Sequence, residues 1–283
     1  MIIQKDINGF LMHLNLEDGG ISAPLAMHGG REKAFMSILD KTIKKNMVCV
    51  DVGANIGYTT LHMLRNVGKS GFVYAVEPDP QSLKLLEDNV DTNDYEEICE
   101  IINCAISSTN KKIDFWLASK PNLSSVAKTK YSTKKINIDA FSLETFLQDR
   151  KYPNFIKMDV EGHEVKVFEG ALDYFTKNNE GETNILVEVH PAFYNEDNDF
   201  GSILKKYFDI GFNSKYVVAT PVPQPRLFKE AGYEPHATVQ TDGFHRGIYD
   251  KVSNEDLIRF ACQENEDSGS KKIVRSFMIT REK

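Results

Sequence analysis

Long apolar runs are missing from this sequence. No stretch approaches the ~18 residues that a membrane-spanning helix needs, so no membrane partner is expected. Cysteine is scarce, with only Cys49, Cys99, Cys104 and Cys262 among 283 residues. No C-x-x-C pair occurs, and the step from Cys99 to Cys104 does not fit a zinc site. The expectation is therefore reduced thiols in a cytoplasmic protein. The opening "MIIQKDINGFLMHL" lacks a basic region followed by an apolar core, so no signal peptide is expected. Positive charge is in deficit too. A formal net charge of -7 weighs against long-range steering of nucleic acid. The one basic cluster, "KTKYSTKK" (128–135), reads as a solvated loop. Neither an internal repeat nor a low-complexity tract is found.

What is present is an ordinary globular composition, 41% hydrophobic and 27% charged, long enough for one large α/β domain. Asn8-Gly9 predicts a hairpin over 2–14, and helical spacing follows over 32–39. Then short apolar runs alternate with helical patterns. Strands are expected at 47–51, 71–79, 98–107, 155–160, 184–190, 216–220 and 272–281, with helices at 58–64, 80–90, 142–147, 164–175 and 203–208. The run 111–119 reads as a further strand at an edge, and 121–133 as a polar loop. Such alternation predicts a mostly parallel sheet with helices on both faces. Residues 1–46 read as an N-terminal extension of a single domain spanning 1–283. Residues 221–270 interrupt the pattern and read as an insertion before the last strand, suited to a substrate lid.

The stretch "VDVGANIGYTT" (50–60) raises the functional question. An apolar strand ends in Asp51, and glycines follow at 53 and 57. That is not the G-x-G-x-x-G of a dinucleotide fold. In open α/β sheets, ligands bind outside the carboxyl ends of strands. Gly53 and Gly57 let the backbone turn tightly there. Glu77 ends the next strand, placed to accept hydrogen bonds from both hydroxyls of a ribose. Asp79 lies close by, and Asn103 ends the third strand, placed to meet an adenine edge. An amino acid joined to adenosine fits this set, with Asp51 holding the amino group directly or through water. S-adenosylmethionine is thus the expected cofactor, with Asn55, Tyr58, Thr59 and Ala105 completing the cofactor residues.

These residues resemble the FkbM family of class I S-adenosylmethionine-dependent methyltransferases. The resemblance rests on "VDVGANIGYTT", "VEPDP" (76–80), "NCAIS" (103–107), "FIKMDVEGHEVKVFEGA" (155–171) and "VEVHP" (187–191), and covers about 29–216. It implies a Rossmann-like seven-stranded sheet with an antiparallel last strand. It also implies methyl transfer to an oxygen, commonly a hydroxyl of a sugar or secondary metabolite.

Strand alternation supplies catalytic candidates. Residues two apart share a face, so Lys157 and Asp159 point one way, and Glu188 and His190 do likewise on the next core strand. If those strands are adjacent, Asp159, Glu188 and His190 converge. His190 suits a general base, and the trio is also a candidate set for a divalent metal. Lys157 reads as the partner of an acid. Glu161, His163, Ser124, His236 and His245 are substrate candidates, each with a structural alternative: a first-turn acid, a structural histidine or a folded surface loop. Ribose methylation of nucleic acid, nicotinamide-dependent oxidoreduction and a non-catalytic binding protein are the competing functions. The expected partner is a small-molecule or glycan hydroxyl acceptor, and a homodimer is left open.

Overall fold

The structure, a computed structural model, describes residues 1–178, 181–263 and 272–283. β1 (Ile2–Ile7) and β2 (Phe10–Asn15) pair as the expected hairpin, turned by Asn8 and Gly9 at φ of 57° and 84°. Helices α1 (Ser22–His28) and α2 (Lys33–Thr42) follow. The alternation then begins with β3 (Val48–Val52), α3 (Tyr58–Val67), β4 (Phe72–Val76), α4 (Pro80–Thr92) and β5 (Cys99–Ile102). β6 (Ala105–Ile106), β7 (Lys111–Ala118) and β8 (Ser132–Phe141) branch away, and α5 (Leu143–Leu147) leads back to β9 (Phe155–Met158), α6 (Glu164–Lys177) and β10 (Thr183–Glu188). The rest comprises α7 (Phe200–Asp209), β11 (Asn213–Ala219), α8 (Arg226–Glu230), β12 (Ala237–Thr241), β13 (Phe244–Tyr249), α9 (Asn254–Ile258) and β14 (Val274–Arg281).

The main sheet has nine strands in the order β12-β13-β11-β14-β10-β9-β3-β4-β5. From β11 to β5 it is the expected seven-stranded arrangement. β14 is antiparallel to β10 and β11, and the other pairs are parallel. Every residue of β3 is buried, as a parallel strand covered on both faces requires. Alternation sends Val48, Val50 and Val52 into one core and Cys49 into the other. Each such valine contributes about 2 kcal/mol by leaving water.

Three departures from the expected elements matter for the site. The single strand expected over 98–107 divides at Asn103, where Cys104 N donates to Ile102 O (3.1 Å) and closes a tight turn. β6 thereby leaves the main sheet. The run 111–119 is not an edge of the main sheet either. β7 pairs with β8, and β6 with β8, as a separate three-stranded sheet around Phe115, Ile138, Ala140 and Ala105. β8 begins inside the polar stretch 121–133 that reads as loop and continues through "INIDAF" (136–141), which alternates. Within 221–270, the β12–β13 hairpin extends the main sheet beyond β11. The polar run at its end, 264–270, lies outside the described residues.

Candidate active site

A cavity with an empty volume of about 1090 Å³, open to solvent, lies outside the carboxyl ends of β3, β4, β9 and β10. The three-stranded sheet contributes Phe115 to one wall, and the segment before α2 contributes Arg31 and Glu32 to another. The location follows from topology. Helix N-termini and crossing loops collect where parallel strands end.

The turn after β3 is fixed by a close approach. Gly53 has φ of 77°, and a Cβ there would stand 2.1 Å from the carbonyl oxygen of Asp159. The glycine thus lets two strand tips touch. Gly57, also at positive φ (89°), caps α3. Asp51 is fully buried behind the cavity wall. Its Oδ2 accepts from Thr59 Oγ1 and Thr60 Oγ1, both at 2.7 Å, and its Oδ1 meets Lys157 Nζ at 3.0 Å. The parallel register sets Asp51 directly beside Lys157, so the pairing expected for that lysine follows from β3–β9 alignment. Burial opposes the charge on Lys157, but Asp51 and Asp159 hold its pKa above the ordinary value. Lys157 also donates to Gly53 O (2.6 Å) and faces the cavity. Of the two modes expected for Asp51, its burial behind the wall favours the indirect one over direct contact with a ligand's amino group. Asp51 does not border the cavity, and Thr59, Thr60 and Lys157 stand around it.

On the β4 side, Glu77 faces the cavity. Its Oε2 accepts from Asn55 N and its Oε1 from Asp79 N, both at 2.7 Å. Burial raises its carboxyl pKa to about 7 against the pull of those amides. Asp79 caps α4 and accepts from Ser124 Oγ (2.8 Å). Asn103 does not reach the cavity, because its Nδ2 donates to Glu77 O (2.8 Å). Ala105 does line it, beside Ile106 and Phe115. Asn55, Tyr58 and Thr59 line the opposite wall.

The trio from β9 and β10 does converge. Donor atoms of Asp159, Glu188 and His190 lie within 4.8 Å of one another. His190 Nε2 stands 3.4 Å from Glu188, 3.5 Å from Glu161 and 3.9 Å from Asp159. Its Nδ1 pairs with the fully buried Glu164 at 2.6 Å. Burial alone would keep the imidazole neutral, but Glu164 and Glu188 hold its pKa well above the ordinary value. This pairing favours the charged ring in the ligand-free chain, which weighs against the expected general-base role. Asp159 Oδ1 is buried with no hydrogen-bond partner. Burial, then Glu188, raises the Asp159 pKa to about 6, and burial raises that of Glu161 to about 7. Glu188 is held low despite its burial, because Arg275 (2.5 Å) and Lys272 (3.5 Å) pair with it.

The remaining substrate candidates divide. Ser124, Glu161 and His163 line the cavity. Ser125 Oγ donates to Glu161 O (3.0 Å), so the 121–126 loop is tied to the tips of both β4 and β9. His163 bonds Ser107 Oγ (2.9 Å), and burial lowers its pKa to about 4, which fits a structural ring. His236 and His245 lie away from the cavity, on the exposed part of the insertion, so their expected role is corrected. Sequence reasoning missed Arg31, Glu32 and Arg275. Glu32 accepts from Arg31 (3.2 Å) and Arg275 (3.1 Å). Its backbone N–H donates to Asp242 (3.2 Å), and that of Lys33 to Thr241 Oγ1 (2.9 Å). The β12–β13 turn thus grips the segment that places Glu32. Only its left-handed backbone (φ 52°), invisible in sequence, marks the residue.

Among solved structures, the chain is similar to the methyltransferase FkbM from Methylobacillus flagellatus KT, at 17% identity and a TM-score of 0.43. The match covers 73% of this chain but 44% of that one, so this chain spans less than half of that relative. It is also similar to an S-adenosylmethionine-dependent O-methyltransferase from Thermotoga maritima (14% identity, 99% and 77% of the two chains, TM-score 0.44). A third is an O-methyltransferase from Bacillus cereus in complex with S-adenosylhomocysteine (12%, 77% and 80%, 0.42). No curated protein sequence matches significantly. The family profile described as the methyltransferase FkbM domain matches residues 51–214, which is more than half of the 283. The chain belongs to the FkbM methyltransferase family.

Proposed function

We propose that the protein is an S-adenosylmethionine-dependent O-methyltransferase acting on a hydroxyl of a sugar, glycan or other small metabolite. The observation that carries this reading is one cavity bordered by the Gly53 turn, Glu77 and the Asp159–Glu161–Glu188 carboxylates. The residues fit the cofactor. Glu77 would accept from the ribose hydroxyls, and Ala105, Ile106 and Phe115 would receive the adenine. The orphaned Asp159 Oδ1 would accept from the ammonium group. When bound, the cofactor supplies a methyl group already activated by its sulfonium. The chain must then position an acceptor oxygen, exclude water and take up a proton. Glu161 is the proposed base. It borders the cavity, stands 3.5 Å from His190 Nε2 and remains partly solvent-accessible. Protonated His190, pinned by Glu164, orients the carboxylates around it.

A metal-assisted reading is favoured by the convergence within 4.8 Å and by Glu164, which fixes Nδ1 and leaves Nε2 facing three carboxylates. Asp159, Glu188 and His190 would hold the ion, and a bound divalent cation lowers the pKa of a coordinated hydroxyl. The ion-pair reading is preferred because Arg275 and Lys272 already neutralise Glu188. The β12–β13 hairpin, within the insertion expected to be a lid, is proposed as a support for Glu32. Four free cysteines support a reducing compartment such as the cytoplasm. No helix among the described residues is long and apolar enough to cross a membrane. The homodimer is a matter for light scattering.

The test is calorimetry with S-adenosylmethionine and S-adenosylhomocysteine on wild type and Glu77→Ala. Binding that weakens in the variant is expected. Absence of binding by folded wild type would sink the assignment. Acceptor trials would begin with sugars, with and without Mg²⁺ or a chelator.

A further inference from the structure

The charge of this chain is unevenly placed. Residues 115–134 hold four lysines (Lys120, Lys128, Lys130 and Lys134) and no acidic residue. The whole chain has 34 basic and 41 acidic side chains, so the rest, without those four, stands at -11. The fold gathers the four at one end of the β7–β8 pair. Ser119 N donates to Tyr131 O (3.1 Å), which joins the two sides of the tip, and Lys134 sits opposite Leu117 in the register. All four lysines are exposed. Lower on the same sheet, Lys112 pairs with Asp139 and Lys135 with Asp114. The four at the tip have no acidic partner among the described residues.

Two aromatic rings share the tip. Lys128 Nζ lies 4.9 Å from the centre of the Trp116 ring, and Lys130 Nζ lies 5.1 Å from that of the exposed Tyr131. The tip also overhangs the cavity. Pro121, Asn122, Ser124 and Val126, between Lys120 and Lys128, form part of its rim.

We infer that this tip docks an acidic saccharide, holding its anionic groups while one sugar hydroxyl enters the cavity. The inference rests on the proposed sugar-hydroxyl acceptor and narrows it to saccharides carrying carboxylate, phosphate or sulfate groups. Ammonium groups supply the charge complement, and the ring edges of Trp116 and Tyr131 beside them add apolar surface for a sugar ring. The small extent of the patch favours a saccharide over nucleic acid. A long polyanion would run onto the acidic remainder of the surface, where like charge repels it.

Trp116 is the chain's only tryptophan, so its fluorescence reports this face alone. The experiment titrates the full chain with hexagalacturonate, neutral maltohexaose and an oligothymidylate of equal charge, reading fluorescence and calorimetry. Hexagalacturonate is expected to bind and to shift Trp116 emission, with affinity falling as salt rises. Lys120, Lys128, Lys130 and Lys134 all changed to Gln should weaken it about tenfold while S-adenosylhomocysteine affinity is unchanged. Equal binding of maltohexaose, or a salt-independent wild-type affinity, would overturn the inference even if the variant failed to fold. Tighter binding of the oligothymidylate would overturn it in favour of nucleic acid. Loss of S-adenosylhomocysteine binding in wild type would instead strike the cofactor reading and leave the docking result standing.

Discussion

The two halves of the cavity are built differently. The half bounded by β3 and β4 comes from successive strand-and-turn units. Asp51, Gly53, Asn55 and Glu77 all lie within 27 residues of one another, and local geometry fixes them. The half bounded by β10 and β14 is assembled from distant segments. Glu32, Glu161, Glu188 and Arg275 meet only because β14 inserts beside β10 and because Asp242 grips the backbone before α2. A locally built half can be read from a motif. A half built from long-range pairing cannot, and on the proposed reading it is the half that faces the acceptor hydroxyl.

The largest effect should come from the seam between the halves. Lys157→Ala leaves Asp51 buried without its cation, which should cost about 3–5 kcal/mol of stability, measured by denaturant unfolding. A loss below about 1 kcal/mol would show that the pair is not holding β3 to β9. Next comes the acceptor half. Glu161→Gln should lower turnover about a hundredfold once an acceptor is in hand, with S-adenosylhomocysteine binding retained. Unchanged turnover would move the base elsewhere.

The cofactor half should show a distinct pH response. Burial raises the Glu77 pKa to about 7 in the ligand-free protein. Ribose hydroxyls need an ionised acceptor, so below that pH a proton must leave before binding. Affinity should therefore fall as pH drops through 7, and calorimetry in buffers of different ionisation enthalpy should detect proton release. Glu77→Gln should bind about tenfold more weakly and lose that slope; a retained slope would assign it to another group. The smallest effect is expected at Asp242→Ala. It frees the amide of Glu32, and the acceptor KM should rise about threefold with kcat and cofactor affinity unchanged. A matching change in cofactor affinity would mean that the two halves are not separable.

Much of the first half was legible. The alternation gave the β3–β4–β5 and β9–β10 order of elements, and Asp159, Glu188 and His190 do converge, although Asp159 and His190 lie just past the strand ends rather than within them. What failed has physical causes. Asn103 sits where the motif expects it, yet the turn at Cys104 commits its amide to Glu77 O. His190 reads as a titratable base until Glu164, 26 residues away, is seen to hold its other nitrogen. The alternation in 136–141 was visible, but its partner strand lies across a polar stretch that read as loop.

The serines of the 121–126 loop tie it to both banks of the cleft. Ser124 is fastened to Asp79 on one bank of the cleft, and the backbone of Glu161 fastens Ser125 on the other. The loop can lift from the cavity only when both hydrogen bonds break. Any movement of this loop over the cavity is thereby coupled to both strand tips at once.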